Sequence, residues 1–138
     1  MKIRHATHED IPLLAEFNRQ LQEDENAPRL MSDSELIARL TGWMDADYEA
    51  ILFELSGKPT AYALYRPTEE GMYIRQFCVL RSHQRQGIGR KAIAVFRDQI
   101  VAPDQALCLE TYVHNDRAIA FWQALGFREH TISFRLEP

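Results

Sequence analysis

The segment "HQRQGIGRK", from His83 to Lys91, combines two closely spaced glycines with several cationic side chains. The apolar run "AIAVF" follows almost at once, which is typical of a loop that enters a helix. The first turn of a helix has unpaired backbone N–H groups, and glycine lets a phosphate oxygen approach them without meeting a Cβ atom. The segment therefore predicts an anion-binding loop, although so short a motif is also compatible with a tight turn that binds nothing.

Two nucleotide-binding alternatives conflict with the rest of the chain. The run "GIGRKA" fits the G-x-G-x-x-G/A pattern of dinucleotide sites, and Glu110 lies roughly where a ribose-binding carboxylate would be expected. However, the run lies past the middle of a short chain, and too few strands follow it to build a doubly wound sheet. The chain contains no G-x-x-x-x-G-K-[ST] pattern, which excludes a P-loop.

Two ordered motifs favour another interpretation of the loop. The run "QRQGIG", from Gln84 to Gly89, matches the signature Gln/Arg-x-x-Gly-x-Gly/Ala, and "NDRAIAFWQALGF", from Asn115 to Phe127, has the pattern of an Asn-capped helix that ends in Gly-Phe. One predicted helix and one predicted strand separate them. In sequence, spacing and order the pair resembles the two motifs of the GNAT N-acetyltransferase superfamily.

The resemblance implies acetyl-CoA as cosubstrate, bound in a cleft between two parallel strands that splay apart. Phe77 and Val79 would offer backbone groups to the pantetheine arm, while Asn115 and Phe121 would contact the coenzyme from the second motif. The pyrophosphate would lie in a cradle formed by Gln84, Arg85, Gln86, Gly87, Ile88, Gly89, Arg90 and Lys91.

The same resemblance implies acetyl transfer to a primary amine, directly within a ternary complex. An ordinary lysine-like amine has a pKa of ~10.4, so removing its proton at neutral pH costs roughly 4 to 5 kcal/mol unless a base or desolvation helps. Members of the family often carry a carboxylate in the strand before the loop, where this chain has Gln76. Glu110 is the expected base, with the acidic cluster of Glu23, Asp24 and Glu25 or a chain of water molecules as the alternatives. Gln76 is expected to orient the amine or a water molecule.

The acidic end of the first predicted helix lies where the family commonly builds its acceptor pocket. Asp24 and Glu25, together with Gln76, are therefore expected to contact the substrate and to favour a small cationic amine. Trp122 occupies the position at which many members have a proton-donating tyrosine, and an indole cannot supply that proton. Tyr112 is the expected substitute, and Tyr73 is the alternative. Without an effective acid or base, the alternative is a catalytically silent acyl-CoA-binding sensor or interaction module.

The elements that position these residues follow from periodicity and capping signals. Apolar and polar residues indicate the order β-α-α-β-β-β-α-β-α-β, in which "TISFRL" forms the last strand. This order predicts an α+β fold with a mixed, mostly antiparallel sheet of six to seven strands, one parallel splayed pair and about four flanking helices. Ser32 and Asn115 are the predicted helix caps, and Gly126 is the predicted helix terminator.

Composition limits the remaining possibilities. The 138 residues are expected to form a single domain, 1–138, and the net charge of −4 argues against general nucleic-acid binding. The two cysteines, Cys78 and Cys108, are too few for a disulfide framework and lack metal-ligand spacing, so reduced thiols and no metal site are expected. No apolar signal or membrane-spanning run is visible. The expected setting is cytoplasmic, without a membrane partner, and the family resemblance adds a homodimer to the expectations.

Overall fold

The computed structural model describes residues 1–25 and 27–138. Its elements, in chain order, are β1 (Lys2–His5), a short 3-10 turn (His8–Asp10), α1 (Ile11–Asp24), α2 (Asp33–Asp45), β2 (Glu49–Leu55), β3 (Lys58–Thr68), β4 (Gly71–Val79), a second 3-10 turn (Arg81–His83), α3 (Ile88–Gln99), β5 (Leu107–Leu109) and α4 (Asp116–Ala124).

The strands form one sheet in the order β1-β2-β3-β4-β5. Neighbouring strands are antiparallel except for β4 and β5, which are parallel and are joined through α3. The predicted α+β fold, with its mixed sheet, parallel pair and four helices, is confirmed. The predicted strand number is wrong, because the sheet has five strands rather than six to seven. Residues 131–136, "TISFRL", form no strand because no neighbouring strand pairs with them in the described part of the chain.

The capping signals act as the sequence predicts. The Ser32 side chain accepts a hydrogen bond from the Glu35 backbone N–H, and the Asn115 side chain accepts one from the Ala118 backbone N–H. Gly126 has a φ of 95°, a left-handed value that ends α4 without the steric cost of a Cβ atom. These caps fix where α2 and α4 begin and where the chain leaves α4.

Two apolar clusters lie on opposite faces of the sheet because strand side chains alternate. Leu52 packs with the buried faces of α1 and α2, whereas its neighbours Ile51 and Phe53 pack on the side of α3. Of the four helices, α4 is the one with no fully buried residue. The sheet is therefore well covered on the α1 and α2 side and more thinly covered beside α4.

A β-bulge changes the direction of side chains in the middle of β4. The β3–β4 register shifts between Leu64 and Tyr65, so Leu64 pairs with Gln76 while Tyr65 pairs with Ile74. Arg75 is the extra residue, and its guanidinium contacts Tyr48 on the α1 and α2 side of the sheet. Gln76 also faces that side, which places two successive polar side chains on one face.

Candidate functional site

An open strand edge forms the centre of the candidate site. The parallel pairing of β4 with β5 runs only from Met72–Leu107 to Ile74–Leu109. β4 continues to Val79, and within the described residues this continuation has no strand partner on the β5 side. A gap therefore opens between residues 75–79 and 110–113, and its β4 wall carries exposed peptide groups that can pair with an extended ligand.

The glycine loop, residues 84–91, lies at the end of this gap where β4 ends. Arg85 and Gly87 have positive φ values of 64° and 73°, and α3 begins directly afterwards. None of the backbone N–H groups from Arg85 to Arg90 donates to an acceptor within residues 1–25 and 27–138; the next one, on Lys91, donates to the Gly87 carbonyl. Left-handed residues in such a loop turn N–H groups toward one side, as in anion-binding nests. The predicted cradle therefore has the backbone donors that an anion requires.

The side chains of the loop have separate roles. Gln84 donates to the Val79 carbonyl at 3.1 Å and so ties the loop to the end of β4. The Ile88 side chain is buried, which leaves its backbone N–H as the group available to a ligand. The side chains of Arg85, Gln86, Arg90 and Lys91 lie at the surface. They can approach an anion from solvent, whereas Gln84 acts by holding the loop in place.

Gly89 is required by packing on the inner side of the loop. A Cβ atom added at Gly89 would lie 3.1 Å from two ring atoms of Phe121. Phe121 is stacked on Phe77 of β4, with ring centroids 6.2 Å apart and planes 15° from parallel. By contrast, a Cβ atom at Gly87 would meet nothing within 4 Å. Gly89 therefore permits the close contact with Phe121, whereas the outer side of the loop at Gly87 is open space.

The second motif brings packing residues and one cap to the same end of the sheet. The Trp122 ring packs against Phe77, Phe121 and Phe127, with centroid distances of 5.7, 4.8 and 5.1 Å. Such edge contacts explain a large aromatic residue here without any chemical role. Asn115 caps α4 beside the gap. Tyr112 is 70% exposed and stacks on His114. Its hydroxyl group is therefore accessible on the side of the gap that residues 110–113 form.

A polar network lies behind the gap on the α1 and α2 side. The Gln76 side-chain oxygen accepts hydrogen bonds from the Asn18 amide at 2.8 Å and from the Tyr62 hydroxyl at 2.6 Å. The Asn18 oxygen in turn accepts from Arg39 at 3.1 Å. Because both partners donate to the oxygen, the Gln76 amide NH2 is left as the donor, and it has no acceptor among the described residues.

Sequence reasoning identified Gln76 but missed Asn18, Tyr62 and Arg39. Asn18 carried a signal, because it is a polar residue on the apolar stripe of its helix, and it is only 2% exposed in the structure. Arg39 carried no such signal, because in the sequence a partly buried arginine on this helix cannot be told from an exposed one.

Cys78 lies close to this network. Burial raises the pKa of its thiol to about 12, so this cysteine is not a nucleophile at neutral pH.

Two guanidinium groups lie close to this network. The Arg39 and Arg75 groups lie 4.8 and 4.6 Å from the centre of the Trp43 ring, and Arg75 also donates to the Tyr48 hydroxyl group at 3.3 Å. Neither forms a salt bridge with a carboxylate in residues 1–25 or 27–138. Burial lowers the pKa of Arg39, and the charge of Arg75 lowers it further. The side of the candidate site that Arg39 and Arg75 form therefore has an excess of positive charge.

The acidic residues predicted to contact the substrate are not equivalent. Arg81 forms salt bridges of 3.0 Å with Glu23 and with Asp24, so its single positive charge offsets half of the charge of these two carboxylates. Glu25 takes no part in these pairs. Desolvation raises the pKa of Glu25, the charge of Asp24 raises it further, and the proximity of His114 opposes the rise. Burial is the main cause of the raised pKa of Cys78 in β4, and the charge of Glu25 adds to it.

Glu110, the predicted base, lies on the other side of the gap from the glycine loop. It accepts a hydrogen bond from the Tyr73 hydroxyl group at 3.1 Å. Tyr112 is not part of this pair, so two of the predicted catalytic residues have different neighbours. The described residues contain no group of three His, Cys, Asp or Glu side chains that could hold a metal ion. In the same residues, no helix has both the length and the apolar character needed to cross a membrane.

Comparison with known proteins places this geometry in a family. No curated protein sequence matches the chain. Among solved structures, an acetyltransferase from Thermus thermophilus is 25% identical, with a TM-score of 0.74 over 93% of this chain and 88% of its own. The ribosomal-protein-S18-alanine N-acetyltransferase from Escherichia coli is 24% identical, with a TM-score of 0.69 over 94% and 79% of the two chains.

A third solved structure contains bound CoA. The aminoglycoside N-acetyltransferase AAC(6')-Iy, in complex with CoA, is 17% identical, with a TM-score of 0.71 over 99% of this chain and 95% of its own. At that identity the likeness shows a shared fold. A family model described as "Acetyltransferase (GNAT) family" matches residues 13–127, which include both sequence motifs and the whole of the splayed strand pair. The chain therefore belongs to the GNAT acetyltransferase family.

Proposed function

We propose that this protein is an N-acetyltransferase that transfers the acetyl group of acetyl-CoA to a primary amine within a ternary complex. The observation that carries the proposal is the open β4 edge, which ends directly at a glycine loop whose N–H groups from Arg85 to Arg90 lack acceptors in the described chain. An extended pantetheine arm fits the edge, and a pyrophosphate fits the loop. Family membership and the CoA complex of a structural neighbour support the same assignment.

The proposed binding roles follow from the contacts of each residue. Gln86, Gly87, Ile88, Gly89 and Arg90 would bind the pyrophosphate through their backbone N–H groups. The backbone of Phe77 would pair with the pantetheine arm. The side chains of Arg85 and Lys91 would add positive charge at the entrance, and Asn115 would contact the arm from the start of α4. Phe121 supports the loop from below by packing against Gly89 and Phe77.

Transfer requires a neutral amine, attack on the thioester carbonyl carbon, and cleavage of the carbon–sulfur bond. Glu25 is the proposed base, because its raised pKa brings it closer to working pH and its charge acts on the Cys78 thiol of β4. Glu110 is the second candidate base. The amide NH2 of Gln76 would position the acceptor. The CoA thiolate leaves readily, since an ordinary thiol has a pKa of ~8.5, and Tyr112 is the proposed donor of its proton.

The charges around the gap suggest an acceptor that carries both an amino and an anionic group. Glu25 would attract the ammonium group, as expected for a cationic amine. Arg39 and Arg75, however, have no carboxylate partner among the described residues, and a second cationic group on the acceptor would be repelled there. A bound carboxylate would instead receive charge-assisted hydrogen bonds. Small amino acids fit this description better than polyamines.

The test is an assay of free thiol release from acetyl-CoA with two matched acceptors, 4-aminobutanoate and 1,4-diaminobutane. We expect acetyl-CoA to raise Tm, since ligand at about 100 times Kd stabilises the folded state by about 2.7 kcal/mol. We also expect faster thiol release with the amino acid, and Arg75→Gln should reduce that preference. Absence of a Tm shift at high acetyl-CoA excess would overturn the coenzyme assignment, whereas a preference for the diamine would overturn only the anionic-acceptor assignment.

A catalytically silent acyl-CoA-binding module is the second candidate function, and one observation favours it. Trp122 is an aromatic packing residue at the position where many family members have a tyrosine acid. The same experiment separates the two candidates. A clear Tm shift with acetyl-CoA, combined with no thiol release across small amines, peptides and protein extracts, would support the silent module.

A further inference from the structure

A buried asparagine, Asn18, lies where α1 packs against β3 and β4. Its amide nitrogen donates to the Tyr62 hydroxyl group at 3.0 Å and to the Gln76 side-chain oxygen at 2.8 Å. Its oxygen accepts from Arg39 at 3.1 Å. The Asn18 side chain therefore connects an arginine of α2 with a residue of the gap, and both hydrogens of its NH2 group are used.

The Tyr62 hydroxyl group completes this network. It accepts from Asn18 and donates to the Gln76 oxygen at 2.6 Å. Tyr62 is fully buried, and burial raises the pKa of its hydroxyl group well above the ordinary value, so the group keeps its proton at working pH. The Gln76 oxygen thus has two donors, which is its capacity, and the Gln76 NH2 group is left for a ligand. Gln76 is only partly buried, so a ligand can reach it.

The same three side chains have a second arrangement that also keeps their hydrogen bonds. If both amide groups turned over, the Asn18 oxygen would accept from the Tyr62 hydroxyl group and from the Gln76 NH2 group. The Gln76 NH2 group would also donate to the Tyr62 oxygen. In that arrangement the Gln76 oxygen, rather than its NH2 group, would be left for a ligand. Asn18, Tyr62 and Gln76 therefore do not select one arrangement by themselves.

Arg39 selects between the two arrangements, because a guanidinium group has donors and no acceptor. In the second arrangement its NH2 group would face the Asn18 NH2 group at 3.1 Å, as one donor against another. The Trp43 ring, 4.8 Å from the guanidinium carbon, holds Arg39 in place. A buried donor that loses its acceptor is costly, so the arrangement in which Asn18 accepts from Arg39 is the stable one.

We infer that Arg39 and Asn18 are positioning residues that keep the NH2 group of Gln76, rather than its oxygen, available to the acceptor molecule. The site then favours an amine whose chain carries an oxygen that can accept a hydrogen bond. The orientation of Gln76 follows from the contacts alone. The selectivity rests on the proposed function, because it requires that the acceptor binds beside Gln76.

The orientation can be measured without turnover, by NMR of the side-chain amide groups in the isotope-labelled full chain. Gln76→Met identifies the Gln76 signal. In wild type, the Gln76 NH2 hydrogens should exchange with water at nearly the rate of free glutamine, and the Asn18 NH2 hydrogens at least about 100-fold more slowly. Asn18→Asp keeps the shape of the side chain but removes its donors. The Gln76 NH2 group should then turn toward the new carboxylate, and its exchange should slow at least about 100-fold.

A matched control places a carboxylate elsewhere on the same helix. Gln22 is buried one turn further along α1 and forms hydrogen bonds with the Met31 backbone. Gln22→Glu should leave the exchange of the Gln76 NH2 group unchanged, and circular dichroism shows that each variant is folded. Slow exchange of this group in wild type would overturn the inference, even if Asn18→Asp does not fold. A rate that Asn18→Asp leaves unchanged in a folded chain would overturn it as well.

The selectivity is tested by thiol release from acetyl-CoA with 2-methoxyethylamine and butylamine, two amines of equal charge and similar shape that differ in one oxygen atom. We expect Asn18→Asp to lower the ratio of their kcat/KM values about fivefold, the effect of one lost hydrogen bond. In a chain that already carries Gln76→Met, Asn18→Asp should not change this ratio, since Asn18 acts through Gln76.

The two backgrounds separate this inference from the proposed function. An equal fall of the ratio with and without Gln76→Met would overturn the positioning role, because Asn18 would then act by another route. If wild type releases no thiol with any amine, the proposed function fails and the selectivity fails with it. The exchange rates then still decide the orientation of Gln76.

Discussion

Glu25 differs from its acidic neighbours in the structure, and this difference leads to a prediction at the scale of one residue. Glu23 and Asp24 are paired with Arg81, whereas desolvation raises the pKa of Glu25 above its ordinary value of 4.5. If Glu25 accepts the proton of the amine, Glu25→Gln should lower kcat about 100-fold. The variant should also lose the part of the pH–rate profile that rises as this carboxyl group ionises. Glu23→Gln is the matched control and should retain activity.

Although Glu25→Gln should lower kcat, it should not lower the stability of the folded chain at high pH. A raised pKa means that the folded chain holds the Glu25 proton more tightly than the unfolded chain does. The carboxyl group therefore adds stability at pH values below about 4.5, and this contribution is lost as pH rises through its folded-state pKa. At pH 8, Glu25→Gln should leave Tm unchanged or higher, measured by calorimetry beside wild type. If Glu110→Gln, rather than Glu25→Gln, removes the rising part of the pH–rate profile of the reaction, Glu110 is the base.

At the same scale, the sequence could predict which residue types occur at the site but not which of them meet. Gln76 was identifiable from its place before the glycine loop. Its partners Asn18 and Arg39 are far away in sequence, and only folding of α1 and α2 over β4 brings them together. The bulge that turns Arg75 and Gln76 toward one face depends on the β3–β4 register. Alternation along β4 alone would have placed them on opposite faces.

The loop before α3 provides a prediction at the scale of an element, and the chain offers a matched control. Gly87 and Gly57 have φ values of 73° and 77°, and at both positions a Cβ atom would meet nothing within 4 Å. Alanine should cost a similar amount of backbone strain at either position, about 1 kcal/mol. Only Gly87→Ala adds an atom to the proposed pyrophosphate cradle.

We therefore expect Gly87→Ala to raise the Kd for CoA at least about tenfold, measured by calorimetric titration, while Gly57→Ala leaves it unchanged. Equal Kd values for the two variants would mean that the loop is only a turn. Gly89 is unsuitable for this test, because a side chain there meets Phe121 at 3.1 Å and would disturb packing as well as binding.

The elements themselves were largely predictable where local signals are strong. The caps at Ser32 and Asn115 and the helix end at Gly126 are local chemistry, and the structure has all three. The end of β5 and the final strand were not predictable in the same way. "ALCLETYV" has strand propensity throughout, but pairing stops at Leu109 because β4 and β5 diverge. "TISFRL" also has strand propensity, yet a strand needs a partner strand, and propensity alone does not provide one.

At the scale of the whole molecule, both faces of the sheet carry a buried apolar cluster, but the β5 edge is less well packed than the centre. The face under α1 and α2 buries Leu14, Phe17, Leu36 and Leu40 completely or almost completely. On the other side of the splay, β5 has three residues and α4 has no fully buried one. Local opening is easiest where few apolar contacts are broken. The half that includes β5 and α4 should therefore open more readily than β2 and β3.

Native-state hydrogen exchange can test this difference and its link to coenzyme binding. Without ligand, amides in residues 107–127 should exchange faster than those in β2 and β3. Saturating acetyl-CoA should slow exchange in residues 84–91 and 115–122, because the coenzyme would bridge β4, the loop and α4, and should change β1 and β2 little. Uniform slowing across the sheet would mean that the chain opens as one unit, and the weakly packed half would then have no separate role in admitting the coenzyme.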